Sequence, residues 1–182
     1  MPAGEWSGAM NEPAANIALP PALESYREVM TGRIGQRSRH YLGVVDALLI
    51  RRYAVAIDDP NPLYHDADAA RAAGYDNIVA PPNLLSAIVD WSAGAFDQEL
   101  KADGTIGMGD TDGLRIMGAG EEMEFLKPVV AGSRVFAEDF VERVEVKSGR
   151  SGPLVFVTLA HDIVDENNDA FNRNHRTVMV RQ

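Results

Sequence analysis

A helix that is apolar on almost every side can only be a core element, and this chain carries one directly after Pro81-Pro82. From Asn83 to about Phe96 the run holds Leu84, Leu85, Ile88, Val89 and Trp91, which predicts a helix surrounded by protein. Its polar exceptions, Asn83, Ser86 and Asp90, are three and four residues apart and form one stripe that needs a polar neighbour or a cavity. The surroundings come from the last third of the chain. Segments Glu122–Phe125, Arg134–Val146, Leu154–Val164 and Arg176–Arg181 are rich in Val, Phe and Thr. Turn formers Ala131-Gly132, Ser148-Gly149 and Asn167-Asn168 separate them, the pattern of antiparallel strands joined by hairpins. Helices first and strands after give an α+β class with the apolar helix on one sheet face. Leu84, Leu85, Ile88 and Val89 are therefore expected to be almost fully buried.

The rest of the chain is shorter in period. Residues 1–20 are rich in Ala, Pro, Gly and Asn and read as a mobile arm, leaving residues 21–182 as one domain. A helix is predicted over PALESYREVMTG with Leu23, Tyr26 and Val29/Met30 on one face. Asp46 can cap a second, ALLIRRYAVAI, whose Leu49, Tyr53, Ala56 and Ile57 recur at helical spacing until Asp59-Pro60-Asn61-Pro62 stops it. A third follows if Asp66 caps ADAARAA and Gly74 takes the left-handed position. The glycines from Gly104 to Gly120 read as loop, and GMGDTDG lacks the strand and helix that a phosphate-cradling loop requires.

Composition excludes several classes. Forty-six per cent of the 182 residues are hydrophobic, enough for a buried core, and with no cysteine there is no disulfide or thiolate site. The net charge of −10 opposes nucleic acid and anionic lipid as general partners. The longest uncharged stretch, Asn77 to Val89, is thirteen residues against the roughly 20 that span a bilayer. A secretory signal is not expected from MPAGEWSGAMNEP, so the cytoplasm is the expected location.

The segment IDDPNPLYHDADAA concentrates the chemistry. Pro60 and Pro62 fix their own φ and hold the preceding residues extended, so Asp59, Asn61, Tyr64 and His65 are expected on a stiff, non-helical tether. A carboxylate beside an imidazole can activate a water. Turn chemistry explains the same residues separately: Asp59 ends a helix, Asn61 makes an Asx-turn and His65 is exposed beside Asp66. Ser86 either faces a substrate or bonds the carbonyl one turn earlier. His161, Asp162 and His175 lack a third ligand at metal spacing, so no metal is expected.

The run DPNPLYHDADAARAAGYDNIVAPPNLL resembles the MaoC-like dehydratases, also called hydratase 2, in the N-terminal dehydratase branch of the hot-dog superfamily. The similarity continues through FLKPVVAGSRVFAEDFVERVEVKSGRSGPLVFVTLAHDIVDE. The resemblance implies a hot-dog fold, a long helix wrapped by an antiparallel sheet, with two sheets joined edge to edge in a dimer. It also implies reversible hydration of a 2-enoyl thioester to a 3-hydroxyacyl thioester by an Asp and a His in a D-x-N-P-x-H segment. The substrate would be carried on coenzyme A or an acyl carrier protein, with no other cofactor.

Two departures stand out. Counting from Asp59, the family's catalytic His position is Tyr64, and the imidazole arrives one residue later at His65. The His-Gly step before the central helix is replaced by Ala80-Pro81-Pro82, and prolines have no N–H for a developing enolate. The resemblance then assigns Asp59 and His65 to water activation, with Tyr64 as substitute or orienting hydroxyl. Asn61 would hold the segment, and the Asn83 and Leu84 amides with Ser86 would face the thioester. Both departures equally resemble the degenerate partner subunit of a heteromeric dehydratase, so the expected dimer is homomeric or formed with a related chain. A thioesterase using Asp90 is the third possibility.

Overall fold

The computed structural model describes residues 17–89 and 113–182. Five strands form one antiparallel sheet: β1 (Ser38–Val45), β2 (Arg115–Phe125), β3 (Ser133–Gly149), β4 (Gly152–Val164) and β5 (Ala170–Arg181). Their order across the sheet is β1-β3-β4-β5-β2. The tight turn between Gly149 and Gly152 sets the β3–β4 register, which pairs Val144 with Val157 and Ala137 with Ile163. Alternate residues consequently share one face, and Val135, Ala137, Val141, Val155, Val157, Ile163, Val178 and Val180 are buried on it.

Two helices cover the ends of that face. α1 (Pro21–Gly32) starts on Pro21, whose missing N–H costs nothing in a first turn, and packs Leu23, Tyr26 and Met30 against Val141, Val155, Val157 and Val180. α5 (Leu84–Val89) packs Leu84 and Leu85, 0% and 2% exposed, against Val135, Ala137, Ile163 and Phe171. The expectation for Leu84 and Leu85 is met; the side chains of Ile88 and Val89, and the stretch from Asp90 to Phe96, lie outside the described residues, as does the arm through residue 16.

Between α1 and α5 lie α2 (Ala47–Ala56), α3 (Pro62–His65) and α4 (Ala67–Ala72). Asp46 caps α2 by accepting from the Leu48 and Leu49 amides, and Asp66 caps α4 by accepting from Asp68 and Ala69. Gly74 closes α4 at φ +93°, a conformation that favours glycine.

Five readings are corrected. The Asp59–His65 segment is not wholly non-helical, because Pro62 suits the first position of a one-turn helix and Asn61 caps it by accepting from the Leu63 amide. Val29 is exposed, the α1 face being completed by Met30. In α2 the buried residues are Ile50 and Ala54, with Leu49 and Tyr53 beside them, while Ala56 and Ile57 lie past the contact. Gly118 and Gly120 are strand residues, placed where the β2–β5 register shifts, a site at which glycine eases a bulge. Strand β1 was not anticipated: it is exposed along most of its length and Gly43, at φ +135°, breaks its alternation.

Leu84→Ala is expected to cost about 2–5 kcal/mol in chemical denaturation, the range for truncating a fully buried leucine. Val55→Ala, at a side chain 71% exposed, is expected to change stability by less than about 0.5 kcal/mol.

Candidate functional site

The end of α2 begins the site. The Asp59 amide donates to the Ala54 carbonyl (2.9 Å), and the Asp59 carboxylate then accepts from the Asn61 amide (3.0 Å) in an Asx-turn. Asn61 accepts from the Leu63 amide at 3.1 Å, which starts α3, and the Asp66 amide closes that turn on the Pro62 carbonyl (2.8 Å). His65 folds back over the turn with Nε2 2.9 Å from the Asp59 carbonyl oxygen. A carbonyl only accepts, so Nε2 is the protonated nitrogen. Arg51 Nε holds the His65 carbonyl at 3.2 Å.

Tyr64 points elsewhere. It lines a cavity of about 320 Å³ with Tyr75, Pro81, Pro82, Leu85, Phe125 and neighbouring residues. Neither Asp59 nor His65 is among the lining residues. The cavity walls are mainly apolar, and its ionisable groups are the two tyrosines and Lys127. Phe125 and Leu126, 50% and 43% exposed, stand at its rim.

Backbone pairing holds these walls together. The Val79 amide donates to the Leu63 carbonyl (2.9 Å), the Ala80 amide to Val129 (2.8 Å) and the Ala131 amide to Ile78 (2.9 Å). On the far wall, the Leu126 amide donates to the Phe171 carbonyl (2.9 Å), and Lys127 reaches Asp165 (2.7 Å) with its ammonium 4.5 Å from the Phe171 ring centre. That Lys127 hydrogen bond, with the amides of Asp169 and Asn167, holds the Asp165 carboxyl below the usual carboxylate range.

The helix start is committed as well. The Leu84 amide donates to the Pro81 carbonyl at 2.9 Å, and the Ser86 hydroxyl donates to Met123 Sδ at 3.4 Å rather than to the carbonyl one turn earlier. Asn83 is exposed and accepts from the Ala87 amide (3.3 Å). Of the residues singled out in the sequence, the structure thus brings Tyr64 to the cavity and ties Asp59, Asn61, His65, Leu84 and Ser86 to neighbouring atoms. Asp90 lies outside the described residues. Tyr75 and Phe125 were not singled out, although Phe125 belongs to the FLKP run that carried the resemblance. Among the described residues no group of His, Cys, Asp or Glu has the geometry of a metal site.

A five-stranded antiparallel sheet packed on a buried helix start, with loops gathering a cavity at that helix, is the hot-dog arrangement of dehydratase domains. The family profile described as FAS1-like, dehydratase domain region, matches residues 33–172, and the chain belongs to that family of MaoC-like hydratases and dehydratases. A UPF0336 protein of Streptomyces avermitilis is 34% identical over 100 residues, 55% of this chain and 62% of the relative. The chain thus spans less than two thirds of that relative's length. A MaoC-like dehydratase from Rhodospirillum rubrum is 25% identical with a TM-score of 0.55, covering 81% of this chain and 91% of the other. The C-terminally truncated HadBC (3R-hydroxyacyl-ACP dehydratase) complex of Mycobacterium tuberculosis shares the fold at 20% identity and a TM-score of 0.58, covering 80% and 96%.

The Lys127–Asp165 pair makes a pH prediction. A carboxyl whose folded pKa is depressed contributes stability above its unfolded value of about 4 and loses it as pH falls through the folded value. Asp165→Asn is expected to lower Tm at about pH 7, and the gap from the unsubstituted protein closes on acidification toward about pH 2.

Proposed function

We propose that this chain is a subunit of a MaoC-like enoyl-thioester hydratase/dehydratase, supplying the acyl-binding cavity while a second, related chain supplies the carboxylate and imidazole. The reaction is reversible: hydroxyl oxygen from water adds at C3 of a 2-enoyl thioester and a proton adds at C2, giving the 3-hydroxyacyl thioester. One observation carries the reading. The side chain at the family's imidazole position, Tyr64, lines the apolar cavity, whereas His65 Nε2 is bonded to the Asp59 main chain.

Each residue then has a stated part. Tyr64, Tyr75, Leu85 and Phe125 form an apolar wall that shields an acyl chain from water. Pro81 and Pro82 shape that wall without offering N–H groups, and the Leu84 amide is used by Pro81, so the donors for the developing enolate come from the partner chain. The heteromeric assembly named for the Mycobacterium tuberculosis relative is consistent with this division of labour. Coenzyme A or an acyl carrier protein would present the substrate.

A second reading is favoured by the Tyr64 hydroxyl, which has no hydrogen-bond partner among the described residues. In it the chain is a self-contained hydratase with Tyr64 as the proton-transfer group.

Assays of 2-enoyl-CoA hydration by the purified chain, alone and mixed with a related MaoC-like chain that carries both catalytic residues, separate the two. The subunit reading expects turnover only in the mixture, with Tyr64→Phe changing kcat by less than about threefold. Turnover by the chain alone, lost roughly 10²–10⁴-fold in Tyr64→Phe, establishes the self-contained enzyme instead.

A further inference from the structure

The two faces of the sheet differ in how their charges are partnered. On the inner face, where α1 and α5 pack, the Asp139 carboxylate takes an imidazole on each oxygen, His161 Nδ1 at 2.5 Å and His40 Nδ1 at 3.3 Å. The strand register lays the charges of the outer face out in rows, and none of the residues in these rows belongs to either core cluster. One row crosses all five strands as Arg39, Glu138, Asp162, Arg173 and Glu124, in the order β1-β3-β4-β5-β2. The next holds Phe140, Ala160, His175 and Glu122, with the Arg37 guanidinium 4.0 Å over the Phe140 ring at its β1 end. Each row therefore starts with an arginine beside β3 and ends with a glutamate on β2.

Bonds within the chain leave the two ends of this face unbalanced. Arg37 meets Glu138 at 3.2 Å, and Arg173 meets Glu124 at 3.7 Å. Arg39 lies 4.4 Å over the Phe136 ring and donates to Asn168 Oδ1 and the Asp165 carbonyl, neither of them a carboxylate. Glu122 is exposed, and its carboxylate has no hydrogen bond or ion pair among the described residues. The relief is unequal as well. A groove of about 970 Å³ runs over Gly120, Glu122, Thr158, His175 and Thr177, whereas guanidiniums stacked on rings thicken the β1 end.

We propose that the outer face is the contact between two copies of this chain, related by a two-fold axis that runs along the strands over β4. Half a turn about such an axis lays β1 of each copy over β2 of the other. Arg37 and Arg39 then face Glu122 and Glu124 of the second copy, twice over, and the thickened β1 end enters the groove. An axis across the strands would instead set β1 on β1 and β2 on β2, and like charge against like opposes association. Asp162, in the middle strand, has a buried Oδ1 without a hydrogen-bond partner. Near the axis the two Asp162 carboxyls each have Arg173 of both copies beside them. Five strands about 4.8 Å apart, each contributing about ten residues at about 3.3 Å, offer roughly 600 Å² of flat face before side-chain relief is counted, close to the ~800 Å² per partner of a standard interface. The contact uses neither open edge of the sheet and no residue that lines the Tyr64 cavity, so both remain for a different chain.

Sedimentation equilibrium of the full chain, from about 1 to about 100 μM at neutral pH, tests this and is expected to show a reversible monomer–dimer equilibrium. Reversing one end, Arg37→Glu with Arg39→Glu, or the other, Glu122→Arg with Glu124→Arg, should weaken the dimer by roughly tenfold or more while circular dichroism shows the fold intact. Mixing the two variants should restore it, because each then presents the charge that the other has reversed. A chain that stays monomeric at the highest concentration would overturn the proposal. So would a dimer indifferent to the Arg37 and Arg39 reversal, which would point to pairing through the β2 edge, or a mixture that associates no more tightly than its parts.

Discussion

Three buried residues, Ile78, Val79 and Ala80, hold the candidate site in one piece. Their side chains are 0–7% exposed, and their backbone is paired on two sides, to Leu63 of α3 and to Val129 and Ala131 of the loop before β3. An unpaired buried amide costs about 1–3 kcal/mol, so this extended segment cannot drift from either neighbour without loss. Because Pro81 and Pro82 follow immediately and Leu84 and Leu85 enter the core, the segment also fixes where α5 begins. Tyr64, Leu85 and Phe125 meet around one cavity through that clamp.

The same local bonding engages several atoms of the residues singled out in the sequence. Asp59 serves the Asn61 amide, Asn61 caps α3, His65 closes over the Asp59 carbonyl, and the Leu84 amide is spent on Pro81. Each bond follows from short-range geometry in a proline-punctuated turn. Beside these bonds stands an apolar recess lined by Tyr64. A recess of that kind suits an apolar ligand, and under the proposed function the acid–base groups come from a second chain.

The helix caps and the strands after Phe125 were legible because they depend on neighbours in sequence: Asp46, Asp66 and Gly74, and the Val-rich alternation of β3 and β4. The buried Leu84 and Leu85 were legible because the run after Pro82 has no polar face to offer water. Strand β1 was not, since it borrows its order from β3 and keeps most of its side chains exposed. Gly118 and Gly120 misled because a bulge and a loop use the same residue. At the site, counting from Asp59 placed Tyr64 at the family's imidazole position, but the direction of His65 depends on a fold-back that spacing does not encode. The pairing of Asp139 with two imidazoles depends on strand register, which brings residues 40, 139 and 161 together across three strands.

The His65 imidazole serves the turn and not the cavity. Long-range ¹H–¹⁵N correlation spectroscopy of the imidazole side chains, with His65 assigned through His65→Gln, reads this directly. The bond to the Asp59 carbonyl requires the neutral His65 to be the Nε2–H tautomer, with that proton hydrogen-bonded and slow to exchange. A neutral His65 protonated at Nδ1, with Nε2 free, would contradict the claim and return the imidazole to the candidate catalytic groups.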